Sequence, residues 1–203
     1  MLRNLLYAIL LGVGMAACLS NSDNTAPDAP QQDTLLDTTK EAPAPKEAPA
    51  DFVLTKGRAG HIRIGMPIEE LQAQLREGHL LQDTTLSLEG QDYTAYIFKE
   101  NNASAGLLVE QLCEPECRVW RIRVRDHAYK TPQGIGIGST YSDLQQHYTI
   151  NYISLGESGL VAVAEDAGLS FLLDTAKMGK LPQHKLKPAD VPANTLVKAI
   201  LIY

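Results

Sequence analysis

Three cysteines, a row of alternating arginines, a glycine-rich pentapeptide and five scattered histidines are the positions at which this chain could do chemistry. Cys113-Glu-Pro-Glu-Cys117 sets two thiols either side of three residues. Flanking a tight turn, they would occupy opposed positions of a hairpin, where a disulfide is geometrically accessible. A redox centre would usually be spaced Cys-x-x-Cys, and a zinc site would need further ligands that the neighbouring sequence does not supply. In an oxidising compartment Cys113 and Cys117 are therefore expected to form a structural bond, which for so small a loop contributes about 2 kcal/mol.

The arginines lie just beyond, in Arg118-Val-Trp-Arg-Ile-Arg-Val-Arg125, whose alternation reads as a strand. If Cys113 opposes Cys117, the ladder continues with Leu112 opposite Arg118, Glu110 opposite Trp120 and Leu108 opposite Ile122. Trp120, Ile122 and Val124 then face the core. Arg121, Arg123 and Arg125 share the other face with the disulfide, at about 6.7 Å spacing. Glu110 against Trp120 is the poor fit in this register. The row is a candidate partner-binding surface for an acidic protein or lipid headgroups, set against a simpler reading as a solvated face paired with local acids. Being exposed, it is expected to matter for association more than for stability.

The remaining chemistry is thin. Gly134-Ile-Gly-Ile-Gly138 lacks the last glycine of a dinucleotide fingerprint and the Lys-Ser/Thr of a nucleotide loop, and a strand leading into a helix explains it. His61, His79, His127, His147 and His184 form no constellation with a nucleophile, and Asp126-His127 alone defines none. No catalytic residue, metal site or cofactor is expected.

Positioning these residues falls to an internal repeat. Gly65-Met-Pro-Ile-Glu-Glu-Leu-Gln72 aligns with Gly138-Ser-Thr-Tyr-Ser-Asp-Leu-Gln145 at a constant offset of 73, and the match extends from Ile62 and Ile64 to Leu75 in the first copy. In each copy a short extended segment ends in glycine and a helix follows, with Ile68, Leu71, Leu75 and Tyr141, Leu144, Tyr148 on its apolar face. Strands are expected over 80–88, 93–99, 106–113 and 118–125, then over 149–155, 160–165, 169–173 and 196–203. The expected class is α+β, with two tandem modules, 52–130 and 131–203, each a short helix followed by antiparallel strands.

Ahead of them, Arg3 and the short apolar run from Leu5 to Val13 read as an export signal over 1–17, too short for a membrane span of about 20 residues. Residues 18–51 read as a disordered linker, with Pro27, Pro30, Pro43, Pro45 and Pro49 among small polar residues and acids. Seven acids against Lys40 and Lys46 give this stretch most of the net charge of -6. The remaining 17 acids and 15 bases are nearly balanced, so nothing points to nucleic acid.

Met15-Ala16-Ala17-Cys18 resembles the bacterial lipobox, although Met15 stands where leucine is usual. The resemblance implies diacylglycerol on Cys18, a membrane anchor that two or more acyl chains make durable. Leu19, in place of the aspartate of inner-membrane-retained enterobacterial lipoproteins, implies the outer membrane. Ile62-x-Ile-Gly-Met-x-x-x-Glu-Leu71 resembles the small lipoproteins of the outer-membrane barrel-assembly machinery, and the tandem modules resemble the fold of beta-lactamase inhibitor protein. Both families bind or assemble proteins without catalytic residues. The resulting expectation is a non-enzymatic envelope lipoprotein, periplasmic or surface-facing, that acts as a protein-binding or assembly module. A small periplasmic redox or ligand-sensing protein is the alternative. Labelled palmitate should enter the wild-type chain and not Cys18→Ala; equal incorporation into both would remove the anchor from this reading.

Overall fold

The computed structural model describes residues 49–203, apart from 89, 101, 102, 104, 157, 158, 177 and 179–185. Cys18, the expected signal and the linker up to residue 48 lie outside the described residues. Three two-residue strands come first: β1 (Leu54–Thr55), β2 (Arg58–Ala59) and β3 (Ile62–Arg63), joined as a small antiparallel sheet. Helix α1 (Ile68–Ala73) follows, then β4 (His79–Leu88), β5 (Gln91–Glu100), β6 (Leu107–Cys113) and β7 (Cys117–Val124). Helix α2 (Tyr141–His147) precedes β8 (Tyr152–Gly156), β9 (Gly159–Ala164), β10 (Leu169–Leu173) and β11 (Val197–Ile202).

The repeat is visible in how each helix begins. Gly65 and Gly138 both adopt positive φ, 78° and 87°, which turns the chain from an extended segment toward the helix in a conformation that side chains with a Cβ disfavour. Ile68 and Leu71 of α1 are buried, as are the matching Tyr141 and Leu144 of α2. Of these two helices, α2 carries a full capping box and α1 has no side-chain cap. Thr140 Oγ1 accepts from the Asp143 N–H at 3.1 Å, and Asp143 accepts from the Thr140 N–H at 2.7 Å. Hydrogen bonding to its carboxyl from the Thr140 backbone N–H, and then from the Thr140 side chain, holds Asp143 below its usual range.

The eight longer strands form one antiparallel sheet in the order β4-β5-β6-β7-β11-β10-β9-β8. This overturns the expected α+β class of two tandem helix-plus-strand modules. The fold is mainly β, its helices span six and seven residues, and the strands of both halves belong to a single sheet. The physical reason lies at the joint. Each half supplies a four-strand meander, and the last strand of one pairs with the last strand of the other, Ile200 with Val124, Leu201 with Arg123 and Ile202 with Ile122. Hydrogen bonding across that joint leaves no boundary between modules.

One row of side chains crosses the whole sheet on its covered face: Leu81, Phe98, Leu107, Val124, Ile200, Phe171, Ala162 and Ile153 are successive cross-strand neighbours. All belong to or pack against the hydrophobic core, together with Ile68, Leu71, Tyr141 and Leu144 from the helices and Leu54 and Ile62 from the small sheet. The Tyr148 ring, just past α2, lies 5.5 Å from that of Phe171. Helices and small sheet thus cover the same face, as the apolar stripe of each requires.

An aromatic cluster ties the small sheet to the end of the large one. His61, in the turn between β2 and β3, stacks on His79 of β4 with ring centroids 5.6 Å apart, and both rings stand edge-on to Phe98 of β5 at 5.1 and 5.0 Å. The Arg76 N–H donates to His79 Nδ1 at 3.3 Å. Burial, and then the proximity of His79 and Arg76, push the His61 imidazole below its ordinary value of 6.5, with Asp51 pulling weakly the other way. Folded protein therefore binds this proton less readily than unfolded chain. The stability that the neutral ring contributes is complete above 6.5 and is lost as pH falls below it toward the depressed folded value. Thermal melts from pH 8 down to pH 5 should show a steeper loss for the wild type than for His61→Gln; parallel curves would show that this contact is not pH-sensitive.

Candidate functional site

The face of the sheet opposite the helices has its own row across the strands: Gln82, Ile97, Leu108, Arg123, Leu201, Ser170, Val163 and Tyr152 are cross-strand neighbours in turn. Arg123 stands at the middle of this row, between Leu108 and Leu201. Toward β8 the face is concave, with a trough of about 760 Å³. Arg121 and Arg123 line one wall, Tyr152, Ser154 and Tyr203 line the rim, and Val161, Val163, Leu201 and Ser170 line the floor. Tyr152 and Tyr203 are exposed, whereas Ser170 and Leu201 are buried in the floor.

How the arginines reach this face depends on a bulge. Cys113 pairs with Cys117, Leu112 with Arg118 and Gln111 with Val119, as the register expected from the cysteines requires. Between Gln111 and Glu110 the register shifts, so that Glu110 pairs with Arg121, Val109 with Ile122 and Leu108 with Arg123. Trp120 has no partner in the ladder. The expectation that Trp120 faces the core is therefore corrected: it is 39% exposed, while Val119, its neighbour, is 1% exposed. Ile122 and Val124 do enter the core. The disulfide falls on the covered side with Val119 rather than with the arginines, and Cys117 packs against the core. One extra residue exchanges the faces on either side of it.

The same bulge resolves the poor fit of Glu110. Its buried carboxylate accepts both Arg121 Nε, at 2.9 Å, and Arg121 Nη2, in a bidentate pair. The Arg121 guanidinium also lies over the Trp120 ring, 4.6 Å from its centroid. Arg123 is half-buried, and burial followed by the charges of Arg121 and Arg125 pulls its guanidinium below the usual arginine range, against the opposing pull of Glu110 and Tyr203. Arg125 is exposed and lies outside the trough lining. At the hairpin tip Arg118 donates to Glu116 at 2.6 Å and to the Gly65 carbonyl at 3.0 Å.

Other expected positions separate from this site. The Cys113–Cys117 disulfide is formed, with Glu114, Pro115 and Glu116 exposed beyond it. The segment from Gly134 to Gly138 is a turn packed on Lys130, whose ammonium donates to the Ile137 carbonyl at 3.3 Å, and it opens toward α2 as a chain reversal rather than a ligand loop. Tyr152, Ser154, Val161, Val163, Ser170, Leu201 and Tyr203 were not among the candidates drawn from the sequence. Their alternation was readable, but which of the two faces would stay uncovered was not.

No protein-family model matches the sequence, and no curated protein matches it. The fold has a solved counterpart. A crystal structure of the uncharacterized protein yfeY from Escherichia coli superimposes with a TM-score of 0.52 over 73% of this chain and 97% of that one, at 16% sequence identity. A likeness at that identity carries the fold and nothing about activity.

The bidentate pair alters the expected behaviour of the arginine row. Arg121 is not a freely solvated residue, since its removal strands the Glu110 carboxylate inside the protein. Glu110→Ala and Arg121→Ser should each destabilise by about 3 kcal/mol, and Arg125→Ser by less than about 0.5 kcal/mol. Urea unfolding of the three variants checks the order, and equal losses would show that the pair is solvated.

Proposed function

We propose that this chain is a non-enzymatic lipoprotein of the outer membrane, anchored through Cys18, whose domain binds another envelope protein with the uncovered face of its sheet. The observation that carries the reading is the composition of that face. Tyr152, Tyr203, Trp120, Arg121 and Arg123 combine rigid aromatic area with guanidinium donors, the residue types that dominate protein–protein hot spots. Ser154, Ser170, Gly156 and Gly168 interleave them, a mixture that adapts to polar partner surfaces as antibody loops do. The wide trough and the cover of helices on the other face leave this side of the sheet as the natural docking surface.

The lipobox resemblance and the acidic, proline-containing segment before Pro49 support a tethered domain that reaches away from the membrane. Among the described residues no helix is long and apolar enough to cross a membrane. A photo-reactive benzoylphenylalanine placed at Ser154 of the full chain should yield a discrete covalent adduct in intact envelopes, and one at Gln145 on the exposed side of α2 should not. Adducts from Gln145 but not from Ser154 would move the docking surface to the helical side and overturn this reading.

A further inference from the structure

The two ends of the eight-stranded sheet are built differently. Among the described residues β4 and β8 each pair with a neighbour on one side only. β4 carries Asp83 in its middle, a charge of the kind that guards an edge against pairing with another chain. β8 reads Tyr152-Ile-Ser-Leu-Gly156, with no charge and no proline, and its ladder to β9 runs without a bulge from end to end. Leu155 is 62% exposed there and Tyr152 40%. An unguarded edge that also presents large apolar side chains is a template for another strand.

The order of residues in β8 says which strand fits. When a second β8 runs antiparallel to the first about a two-fold axis at Ser154, Tyr152 opposes Gly156, Ile153 opposes Leu155, and Ser154 opposes its own copy. Each pair is complementary. Ile153 and Leu155 share the face that the helices cover, so the exposed Leu155 is set beside Ile153 of the other copy. Tyr152, Ser154 and Gly156 all line the trough. On that face each tyrosine ring meets a glycine with open space around its Cα, and two small hydroxyls meet at the axis. The register brings no charge against a like charge. We propose that β8 is the seam of a homodimer, in which two copies pair in this register and join their troughs into one continuous surface. The inference rests on the binding reading for its anchor. Five paired residues a side make a weak contact beside the about 20 to 30 of a standard interface, and copies tethered to one membrane meet at raised local concentration.

The test is cysteine crosslinking of the full-length chain in native envelopes, with copper phenanthroline as oxidant. Cys113 and Cys117 are bonded to each other, and the wild type, oxidised in parallel, sets the background. Ser154→Cys should give at least about tenfold more covalent dimer than the wild type, since opposed residues of an antiparallel pair lie within reach of a disulfide. Tyr152→Cys and Gly156→Cys should each stay monomeric alone, because the register sets them well apart from their own copies. Differently tagged copies carrying one each should form a mixed dimer when expressed together. Leu155→Lys added to Ser154→Cys should lower the yield about tenfold by placing a charge on each side of the seam, whereas Leu80→Lys on β4, also exposed, should not. An unchanged melting curve for Leu155→Lys separates lost pairing from lost folding, and the mixed dimer tests the register without that variant. A monomeric Ser154→Cys chain, equal dimer from Tyr152→Cys or Gly156→Cys alone, a yield that Leu155→Lys does not lower, or a disulfide from Ser154→Cys to a different protein in place of the dimer would each overturn the seam. The binding reading fails separately, since it turns on whether the Ser154 photo-adduct contains a protein other than this chain.

Discussion

Ile200, Leu201 and Ile202 pair with Val124, Arg123 and Ile122, and these three contacts join β11 to β7 and with them the two halves of the sheet. The pairing sets the face of every side chain at the centre of the molecule. Ile200 and Ile202 turn to the core beside Val124 and Ile122, so Leu201 and Arg123 must turn the other way. A shift of one residue at this joint would carry Arg123 into the core and expose Ile122 and Val124. The apolar row from Leu81 to Ile153 makes that shift costly, since it would break a continuous set of buried neighbours on all eight strands. The position of the trough wall is in this sense a consequence of core packing.

The bulge at Trp120 reconciles two demands on β7. Near the hairpin tip, the disulfide and Val119 need the covered side; further along, Ile122 and Val124 need it too. Strict alternation from Val119 would place Arg121 inside and Ile122 outside, burying a charge away from water. One unpaired residue restores the phase, and its side chain, Trp120, goes to the uncovered face, where Arg121 stacks over it. Glu110 then meets Arg121 rather than an indole ring. A local irregularity in the ladder thus produces both the ion pair and the aromatic surface beside the trough. Bulges are over-represented where a strand must re-aim a side chain, and this one does so where β7 begins to line the trough.

Much of this was legible from residue order. Alternation placed strands close to β4 through β11, because a half-buried strand writes its period of two directly into the chain. The repeat placed both helix starts, Ile68 and Tyr141, and the cysteine spacing indicated the turn whose disulfide is present. Arg121 and Arg123 stood out as charges on a regular strand, and both line the trough. The expectation of an anchor at Cys18 falls outside the described residues and rests on the sequence alone.

Tertiary structure decided the rest. Alternation says that a strand has two faces, but not which is covered, and so Tyr152, Val163 and Ser170 carried no mark as site residues. Which strand edges meet depends on contacts between positions such as Val124 and Ile200, far apart in the chain and without a local signature; a reading of two modules followed from the repeat, and one sheet followed from the joint. The bulge is likewise invisible in Arg118 to Arg125 taken alone, because its cause is the partner strand: the buried carboxylate of Glu110 and the core positions of Ile122 and Val124 together require one residue more than regular pairing provides. Sequence determined where the strands run and what each could present; only packing determined which presentation faces the core and which stays uncovered.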